Sequence, residues 1–323
     1  MSKKRFQVGI KKDFLHGESN DYPLLVFYPA VKEGSDSGPD EEHAPYPGLV
    51  FAHGYMASAQ LYANVGKNLG SHGYVTAIFS AGVKEAGVDF RAFLHEISNP
   101  VYSREVSKGI PIGTMNPFKA IAQSREAIAK AIDYLSSNPM KIVRTERIGI
   151  VGHSLGGMTA LQAAASDERL KAVVACSAVN IKMIANKLMG GIGETIAERM
   201  MGDGKFATAI KIPTMLVYGT QDKITPFEHG LSYYNMIDEA PKVALAINGA
   251  IDPKDKLGLK AHNLGLAIYK RLGNEYTPKV VKCMVNWFNL FLYEERRSWA
   301  YVFGDKIRTD LAENVLSRLE MKM

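Results

Sequence analysis

The sequence predicts an α/β fold, with a mostly parallel central sheet flanked by helices. The first observation is that strand-like and helix-like segments alternate along the chain. The second is a β-branched apolar run at residues 147–151 that leads directly into a glycine-rich turn at 152–157. The third is size and composition, since 323 residues that are 46% hydrophobic and 22% charged suit one large domain, or one domain with an insertion.

The first half of the chain supplies four predicted strands and two predicted helices. Residues 33–47 are rich in Gly, Ser, Asp, Glu and Pro, which predicts a surface loop. A first helix is predicted at residues 61–69. A longer helix begins at Asn116 and Pro117, which suit an N-cap and a first turn, and its apolar residues recur at helical spacing. The strands are predicted at residues 6–10, 24–29, 49–52 and 74–79.

The second half continues the alternation after the run at 147–151. Residues 158–165 predict a helix, and Thr277 with Pro278 begins a final amphipathic helix. The tail at 298–323 is predicted to be a helical extension, because Leu311, Val315, Leu316 and Leu319 have helical spacing. This tail could pack on its own domain or on a second subunit, so the oligomeric state stays open. The remaining strands are predicted at 172–176, 213–218 and 243–247, the last of these closing the sheet.

We expect residues 1–323 to form a single domain. Two segments do not fit the alternation: residues 82–115 show no clear period, and residues 180–210 are rich in Met, Ile and Gly. In the second segment, apolar residues three or four apart are interrupted by glycines at 190, 191 and 193. This pattern predicts two short amphipathic helices joined by a glycine hinge. They could form a cap or lid over the site, or simply pack on the sheet edge.

The charged residues and the cysteines limit which partners and which cellular compartment we expect. The net charge is +6, but the basic residues are scattered, so we expect no nucleic-acid partner. The sequence has no long apolar run and no secretory signal, so we expect a cytoplasmic protein without stable membrane insertion. The amphipathic segment still permits lipid handling at a membrane surface. Cys176 and Cys283 are predicted to be buried free thiols, which suits a reducing compartment.

The turn at 152–156 reads G-x-S-x-G, with a strand before it and a helix after it. Such a turn holds a serine in an exposed, strained position, where a neighbouring base can activate the hydroxyl. Ser154 is therefore the predicted nucleophile. The alternative is a tight packing turn between strand and helix.

The orienting acid is expected at a strand end after the nucleophile, and Asp222 follows the strand at 213–218 through a glycine turn. The alternative for Asp222 is a turn-capping role, which would leave the acid to Asp252 or Asp255 on a later loop. Two histidines follow Asp222 in the sequence. We favour His262, on a loop after the last strand, over His229, which lies on a helix too close to Asp222.

The oxyanion is expected to bind backbone amides. Leu155 follows the nucleophile and supplies one, and Tyr55 supplies the other from the loop where Gly54 lets the chain turn. The Tyr55 ring and His153 are the predicted substrate contacts, although His153 also suits a packing role. His53 is predicted to be structural.

Four segments carry a resemblance to a known family: residues 26–30, 46–55, 152–157 and 213–222. In their order and motifs they resemble α/β-hydrolase esterases of the cutinase, polyester-hydrolase, dienelactone-hydrolase and platelet-activating-factor-acetylhydrolase-like group. The resemblance spans most of residues 24–295.

The resemblance implies the α/β-hydrolase fold and a triad of Ser154, Asp222 and His262, with Tyr55 and Leu155 as oxyanion donors. It further implies serine-dependent carboxylic ester hydrolysis through an acyl-enzyme, on a small-molecule or polymeric (polyester-type) ester, with no metal or organic cofactor. Acyl transfer or thioester cleavage by the same triad, and a non-catalytic binding protein, are the alternatives.

Overall fold

The computed structural model describes residues 5–55, 57–81, 117–189, 191, 195, 205–249, 254–255, 258–267, 276–313 and 315–323. Within these ranges ten strands form one sheet. The strands are β1 (Gln7–His16), β2 (Asp21–Ala30), β3 (Gly34–Ser35), β4 (Tyr46–Ala52), β5 (Val75–Phe79), β6 (Val143–His153), β7 (Leu170–Cys176), β8 (Thr214–Gly219), β9 (Lys242–Ile247) and β10 (Leu316–Lys322).

Helices lie on both faces of this sheet and at its carboxyl edge. The α-helices of the described residues are α1 (Ala63–Ser71), α2 (Pro117–Ser137), α3 (Leu155–Ala164), α4 (Ile181–Met189), α5 (Phe227–Met236), α6 (Leu259–Asn263), α7 (Thr277–Phe291), α8 (Trp299–Val302) and α9 (Asp305–Ala312). Short 3₁₀ turns occur at Ala59–Tyr62, Lys205–Ala209 and Arg296–Ser298.

The strand order is β10-β9-β8-β7-β6-β4-β5-β2-β1-β3. The six strands from β9 to β5 pair in parallel, whereas β10, β2 and β1 run antiparallel to their inner neighbours. The chain leaves β4 for β5 on one side and then returns to place β6 on the other side. This reversal opens a crevice at the carboxyl ends of β4 and β6, where open α/β sheets bind their ligands.

Two apolar cores, one on each face, hold the sheet between helices. Successive residues of β4 alternate between them: Val50 packs with α2 and α3, and Leu49 and Phe51 pack with α1 and α7. Burial on both faces explains why the central strands are almost continuously apolar. The predicted α/β class and mostly parallel sheet are therefore confirmed.

The C-terminal tail is different from the helical extension that the sequence predicts. Residues 299–302 and 305–312 are helical, but Leu316 and Leu319 lie in β10, which pairs antiparallel with β9. A bulge between Leu316 and Arg318 inserts one extra residue. Leu316 and Leu319 therefore face the same core at a spacing of three, which imitates a helix. β9 is consequently not the last strand.

Part of the predicted cap can be placed. Its first helix is α4, and Ile181 at its start contacts the apolar cluster beside the nucleophile turn. Most of the predicted glycine hinge and second helix, and the whole of 82–115, lie outside the described residues. The cap therefore stays a prediction.

Both cysteines are free thiols; Cys176 is buried and Cys283 half-buried. Among the helices of the described ranges, none has the length and apolar character needed to cross a membrane.

Candidate active site

The nucleophile turn joins β6 directly to α3. Ser154 lies between them with φ 56° and ψ −117°, a conformation that side chains rarely adopt. Its N–H donates to the Cys176 carbonyl (2.8 Å), which fixes the turn on the neighbouring strand. An added Cβ at Gly152 or Gly156 would overlap backbone carbonyl groups. The two glycines of G-x-S-x-G are therefore sterically required here, which confirms the predicted strand–turn–helix.

His262 and Ser154 are brought together across 108 residues of sequence. Nε2 of His262 lies 3.1 Å from Oγ of Ser154, and Nδ1 lies 3.0 Å from Oδ2 of Asp222. Because the carboxylate can only accept, Nδ1 carries the proton and Nε2 is left to accept from the serine. Spatially, the three residues are arranged as a nucleophile, a base and an orienting acid.

His262 lies on a short helix, α6, and not on the loop that the sequence predicts. The Asp255 carboxylate accepts from the N–H groups of Leu259 (2.7 Å) and Lys260 (2.9 Å), and it thereby satisfies the start of the helix. Asp255 is thus a capping residue, whereas the other alternative acid, Asp252, lies outside the described residues. A helix of five residues is too short to show a hydrophobic period in the sequence.

The Asp222 carboxylate divides its contacts between the turn and the histidine. Oδ1 accepts from the N–H groups of Ile224 (2.8 Å) and Thr225 (2.9 Å), and Oδ2 faces His262 and the Thr225 hydroxyl (2.7 Å). Burial opposes ionisation, but His262 and Thr225 outweigh it and hold the pKa of Asp222 below its usual value. Asp222 therefore combines the predicted acid position with the turn-capping alternative.

The predicted oxyanion donors lie beside Ser154. Leu155 is the first residue of α3, so its N–H has no acceptor within the helix. Tyr55 follows β4 on the facing loop, and its ring packs against a small apolar cluster that contains Leu155 and Met158. Burial raises the pKa of Tyr55, so its phenol is neutral. The oxyanion role of the two amides stays a prediction.

Two further histidines near the site are structural in their contacts. Nδ1 of His229 accepts from the Asn180 N–H (3.0 Å) inside the protein. Nδ1 of His53 donates to the Gly54 carbonyl (2.7 Å) and its Nε2 accepts from the Ala81 N–H (2.9 Å). Burial lowers the pKa of His53 to about 4 and keeps it neutral. His53 thus has the structural place that the sequence predicts.

The predicted substrate contact of His153 stays a prediction, because its ring is held inside the protein. It is buried, and both ring nitrogens are engaged: Nδ1 with the Tyr62 hydroxyl (2.7 Å) and Nε2 with the His262 carbonyl (2.8 Å). These contacts fit the packing role that the sequence also allows for His153. Tyr62 and Thr225 were missed altogether. In the sequence, Tyr62 has the pattern of an ordinary core aromatic. Thr225, by contrast, lies three residues after Asp222, and this spacing could have predicted a turn closed by the two side chains.

Comparisons with known proteins agree with this architecture. The Prolyl oligopeptidase family matches residues 123–249, and the family Platelet-activating factor acetylhydrolase, isoform II matches residues 7–86. Platelet-activating factor acetylhydrolase of Canis lupus familiaris is 28% identical over 155 residues, covering 41% of this chain and 35% of that protein. The bovine (Bos taurus) protein is 26% identical over 157 residues, with the same two coverages.

A third relative is Uncharacterized protein YfhR of Escherichia coli (strain K12), which is 27% identical over 110 residues, covering 33% of this chain and 39% of that protein. The matched segments span less than half the length of each of these relatives. The fold and the two family matches identify the chain as a distant member of the α/β-hydrolase superfamily, related to serine hydrolases. Within that superfamily it resembles the serine esterases of the platelet-activating factor acetylhydrolase group.

Proposed function

We propose that the chain is a serine-dependent carboxylic ester hydrolase. The observation that carries the proposal is the unbroken series of contacts from Ser154 through His262 to Asp222. The series lies at a strained turn in the crevice between β4 and β6. A serine hydroxyl is a poor nucleophile until geometry and a base activate it, and this arrangement supplies both.

In the acylation step, Ser154, His262, Asp222 and the two backbone amides each have one role. Ser154 Oγ attacks the ester carbonyl carbon while His262 Nε2 takes the hydroxyl proton. The charge on the carbonyl oxygen is stabilised by the N–H groups of Leu155 and Tyr55. Asp222 holds the imidazole in the required tautomer and stabilises its charged form. The carbon–oxygen bond to the alcohol then breaks, and the alcohol leaves with the proton from Nε2.

Deacylation repeats these steps with water. His262 Nε2 takes a proton from the attacking water, and the hydroxide adds to the acyl carbon. The bond to Ser154 Oγ then breaks, Ser154 regains its proton from Nε2, and the carboxylic acid leaves. The reaction needs no oxidant or reductant, and the proposal requires no metal or organic cofactor.

We propose the substrate class from the side chains near Ser154 and from the names of the similar proteins. The nucleophile turn borders an apolar cluster that contains Leu155 and Met158, with Tyr55 and Ile181 packed against it, and apolar surroundings favour an uncharged group there. The name platelet-activating factor acetylhydrolase supports a short acyl group. Polyester-type esters stay a class to be tested.

Cleavage of peptide amide bonds is the second candidate. The Prolyl oligopeptidase family match covers residues 123–249, which include Ser154 and Asp222. The same triad chemistry applies, because an amide differs from an ester chiefly in its leaving group. A prolyl p-nitroanilide compared with p-nitrophenyl acetate separates the two candidates.

The test is hydrolysis of a p-nitrophenyl ester series from acetate to palmitate by wild type and Ser154→Ala. We expect Ser154→Ala to lower kcat by about 10⁴–10⁶-fold, as in other serine triads. Ser137→Ala is the matched control, because Ser137 is exposed on α2, where its hydroxyl donates to the Tyr134 carbonyl of the same helix. Near-wild-type activity in Ser154→Ala would falsify the assignment. Absence of both hydrolysis and fluorophosphonate labelling in wild type would support a binding protein instead.

A further inference from the structure

Tyr62 and His153 lie between the two loops that complete the site. Tyr62 ends the 3₁₀ turn Ala59–Tyr62, and His153 ends β6 next to the nucleophile. Both are buried. Their contacts run from the Gly54 N–H to the Tyr62 hydroxyl (3.1 Å), from that hydroxyl to His153 Nδ1 (2.7 Å), and from His153 Nε2 to the His262 carbonyl (2.8 Å).

The direction of each hydrogen bond is fixed by chemistry. The His262 carbonyl can only accept, so His153 Nε2 carries the proton and donates it. In a neutral ring Nδ1 must then accept, so the Tyr62 hydroxyl donates to it. The same hydroxyl oxygen accepts from the Gly54 N–H. Burial, together with the nearby His262, lowers the pKa of His153 to about 3, so its ring stays neutral near pH 7.

One end of this chain of hydrogen bonds stabilises the base-bearing helix. α6 has five residues and is bounded by Gly258 and Leu264, both in the left-handed conformation. Such a short helix is unstable without outside contacts. The His262 carbonyl has lost its helical partner, because the Leu266 N–H donates to Asn263 instead. His153 supplies the missing donor, and it does so from the end of a buried central strand.

The other end holds the loop that carries Tyr55. A Cβ added at Gly54 would lie 3.1 Å from His153 Nδ1, 3.2 Å from the Tyr62 hydroxyl and 3.4 Å from Ser154 Cβ. The absence of a side chain therefore lets the loop approach closely. The Gly54 N–H, one residue before Tyr55, is fastened to the same hydroxyl that sets the His153 tautomer.

We propose that Tyr62 and His153 are positioning residues that hold the backbone of His262 and the Gly54–Tyr55 loop in register with Ser154. The inference rests on the proposed function, because it assigns these residues to the alignment of that reaction. In this role both side chains act through the backbone groups that they hold, and neither takes a step of the reaction itself.

The first test is Tyr62→Phe, which keeps the ring and removes the hydroxyl. We expect kcat to fall by about 10–100-fold with KM nearly unchanged, because small misplacements of reacting groups have effects of this size. The rate of Ser154 labelling by a fluorophosphonate should fall in parallel. Tyr74→Phe is the matched control, since the buried Tyr74 donates to Asn289 (2.7 Å) at the amino end of β5, on the opposite edge of the sheet.

A spectroscopic measurement separates positioning from a general loss of stability. The Nδ1 proton that His262 shares with Asp222 should give a downfield proton resonance in wild type and Tyr74→Phe. We expect it to shift or broaden in Tyr62→Phe. An unchanged resonance together with wild-type kcat in Tyr62→Phe would overturn the inference.

A second pair of variants tests the other residue and covers a folding failure in the first. His153→Gln keeps a donor within reach of the His262 carbonyl, whereas His153→Leu keeps only the bulk. We expect kcat to decrease in the order wild type, His153→Gln, His153→Leu. Equal kcat in the Gln and Leu variants would count against the inference.

Failure of the inference and failure of the proposed function are distinguishable. If Ser154→Ala abolishes labelling while the Tyr62 and His153 variants behave as wild type, the inference is wrong and the esterase proposal stands. If wild type neither hydrolyses esters nor is labelled at Ser154, both are wrong.

Discussion

At the scale of single residues, each oxygen of the Asp222 carboxylate has its own contacts. Oδ1 stabilises the turn after β8, and Oδ2 faces His262 and the Thr225 hydroxyl. The carboxylate is therefore held in place before it orients the imidazole. Thr225 contributes at the same point, since its hydroxyl donates to Oδ2 and lies 3.1 Å from His262 Nδ1.

Asp222→Asn tests whether the carboxylate orients the His262 imidazole, because the amide fills the same buried space without the charge. We expect kcat to fall by about 10⁴-fold, as in other triads where an amide favours the wrong histidine tautomer. The measurement is steady-state kinetics on a short p-nitrophenyl ester. Asp133→Asn, at an exposed carboxylate paired with Arg169, is the control and should leave kcat unchanged. A loss smaller than tenfold in Asp222→Asn would contradict the role given to it.

Residue types and chain order were enough to predict that Ser154, Asp222 and His262 lie together, as their side chains do in the structure. They were not enough to find Tyr62, because a hydroxyl in an apolar segment gives no local sign of the buried nitrogen that it meets 91 positions later. The hydrogen bonds of His153 could not be predicted for the same reason. Its neighbours in space, Tyr62 and His262, are both distant in sequence.

At the scale of elements, α6 is set against the turn that carries Asp222 by backbone packing. Gly258 begins it with φ 68°, and a Cβ there would overlap the Gln221 carbonyl. A Cβ at Gly219 would lie 2.6 Å from the Ala261 carbonyl. These two glycines allow the base-bearing helix and the acid-bearing turn to touch, which keeps His262 within reach of Asp222.

Gly258→Ala should therefore disturb both stability and activity. We expect the free energy of unfolding to fall by about 2 kcal/mol, from left-handed strain and steric overlap, and kcat to fall at least about tenfold. Chemical denaturation and ester kinetics measure the two effects. Gly38→Ala is the control, because the nearest atom to an added Cβ is Val31 Cγ2 at 3.7 Å, and its effect should stay within about 0.5 kcal/mol. Equal behaviour of the two variants would refute the packing argument.

Secondary structure was predicted wrongly at α6 and β10, where the spacing of apolar residues does not distinguish a helix from other structures. α6 is too short to show a period, and the bulge in β10 shifts the spacing of Leu316 and Leu319 to one that helices share. The central strands could be predicted because burial on both faces leaves an unmistakable apolar run.

At the scale of the whole molecule, the two cores enclose neutral histidines at the carboxyl edge of the sheet. Burial lowers the pKa of His53 to about 4 and that of His153 to about 3, whereas an unfolded histidine titrates near 6.5. Below about pH 6.5 the unfolded chain binds protons that the folded chain does not, so stability falls as the pH falls. The lowered pKa of Asp222 acts in the same direction, but only at lower pH.

We therefore expect the free energy of unfolding to decrease by about 2 kcal/mol per buried histidine between about pH 7 and pH 5. Urea unfolding at the two pH values measures this. His153→Gln should remove about half of the pH dependence that the two buried histidines contribute. A pH dependence that His153→Gln does not reduce would show that His153 is not the neutral buried group described above.

The overall architecture could be predicted from the sequence because chain order and apolar periodicity determine it. The course of residues 82–115 could not be predicted, because this segment shows no clear period, and a cap formed by residues 180–210 stays a prediction.

The conformation of Ser154 has a consequence for how the chain can evolve. A φ of 56° suits glycine better than any residue with a side chain, so the turn would be less strained without serine. Selection for stability alone would remove the hydroxyl on which the proposed chemistry depends. A serine at position 154 therefore represents a compromise in which folding stability is given up for reactivity, as expected where function and fold compete for one residue.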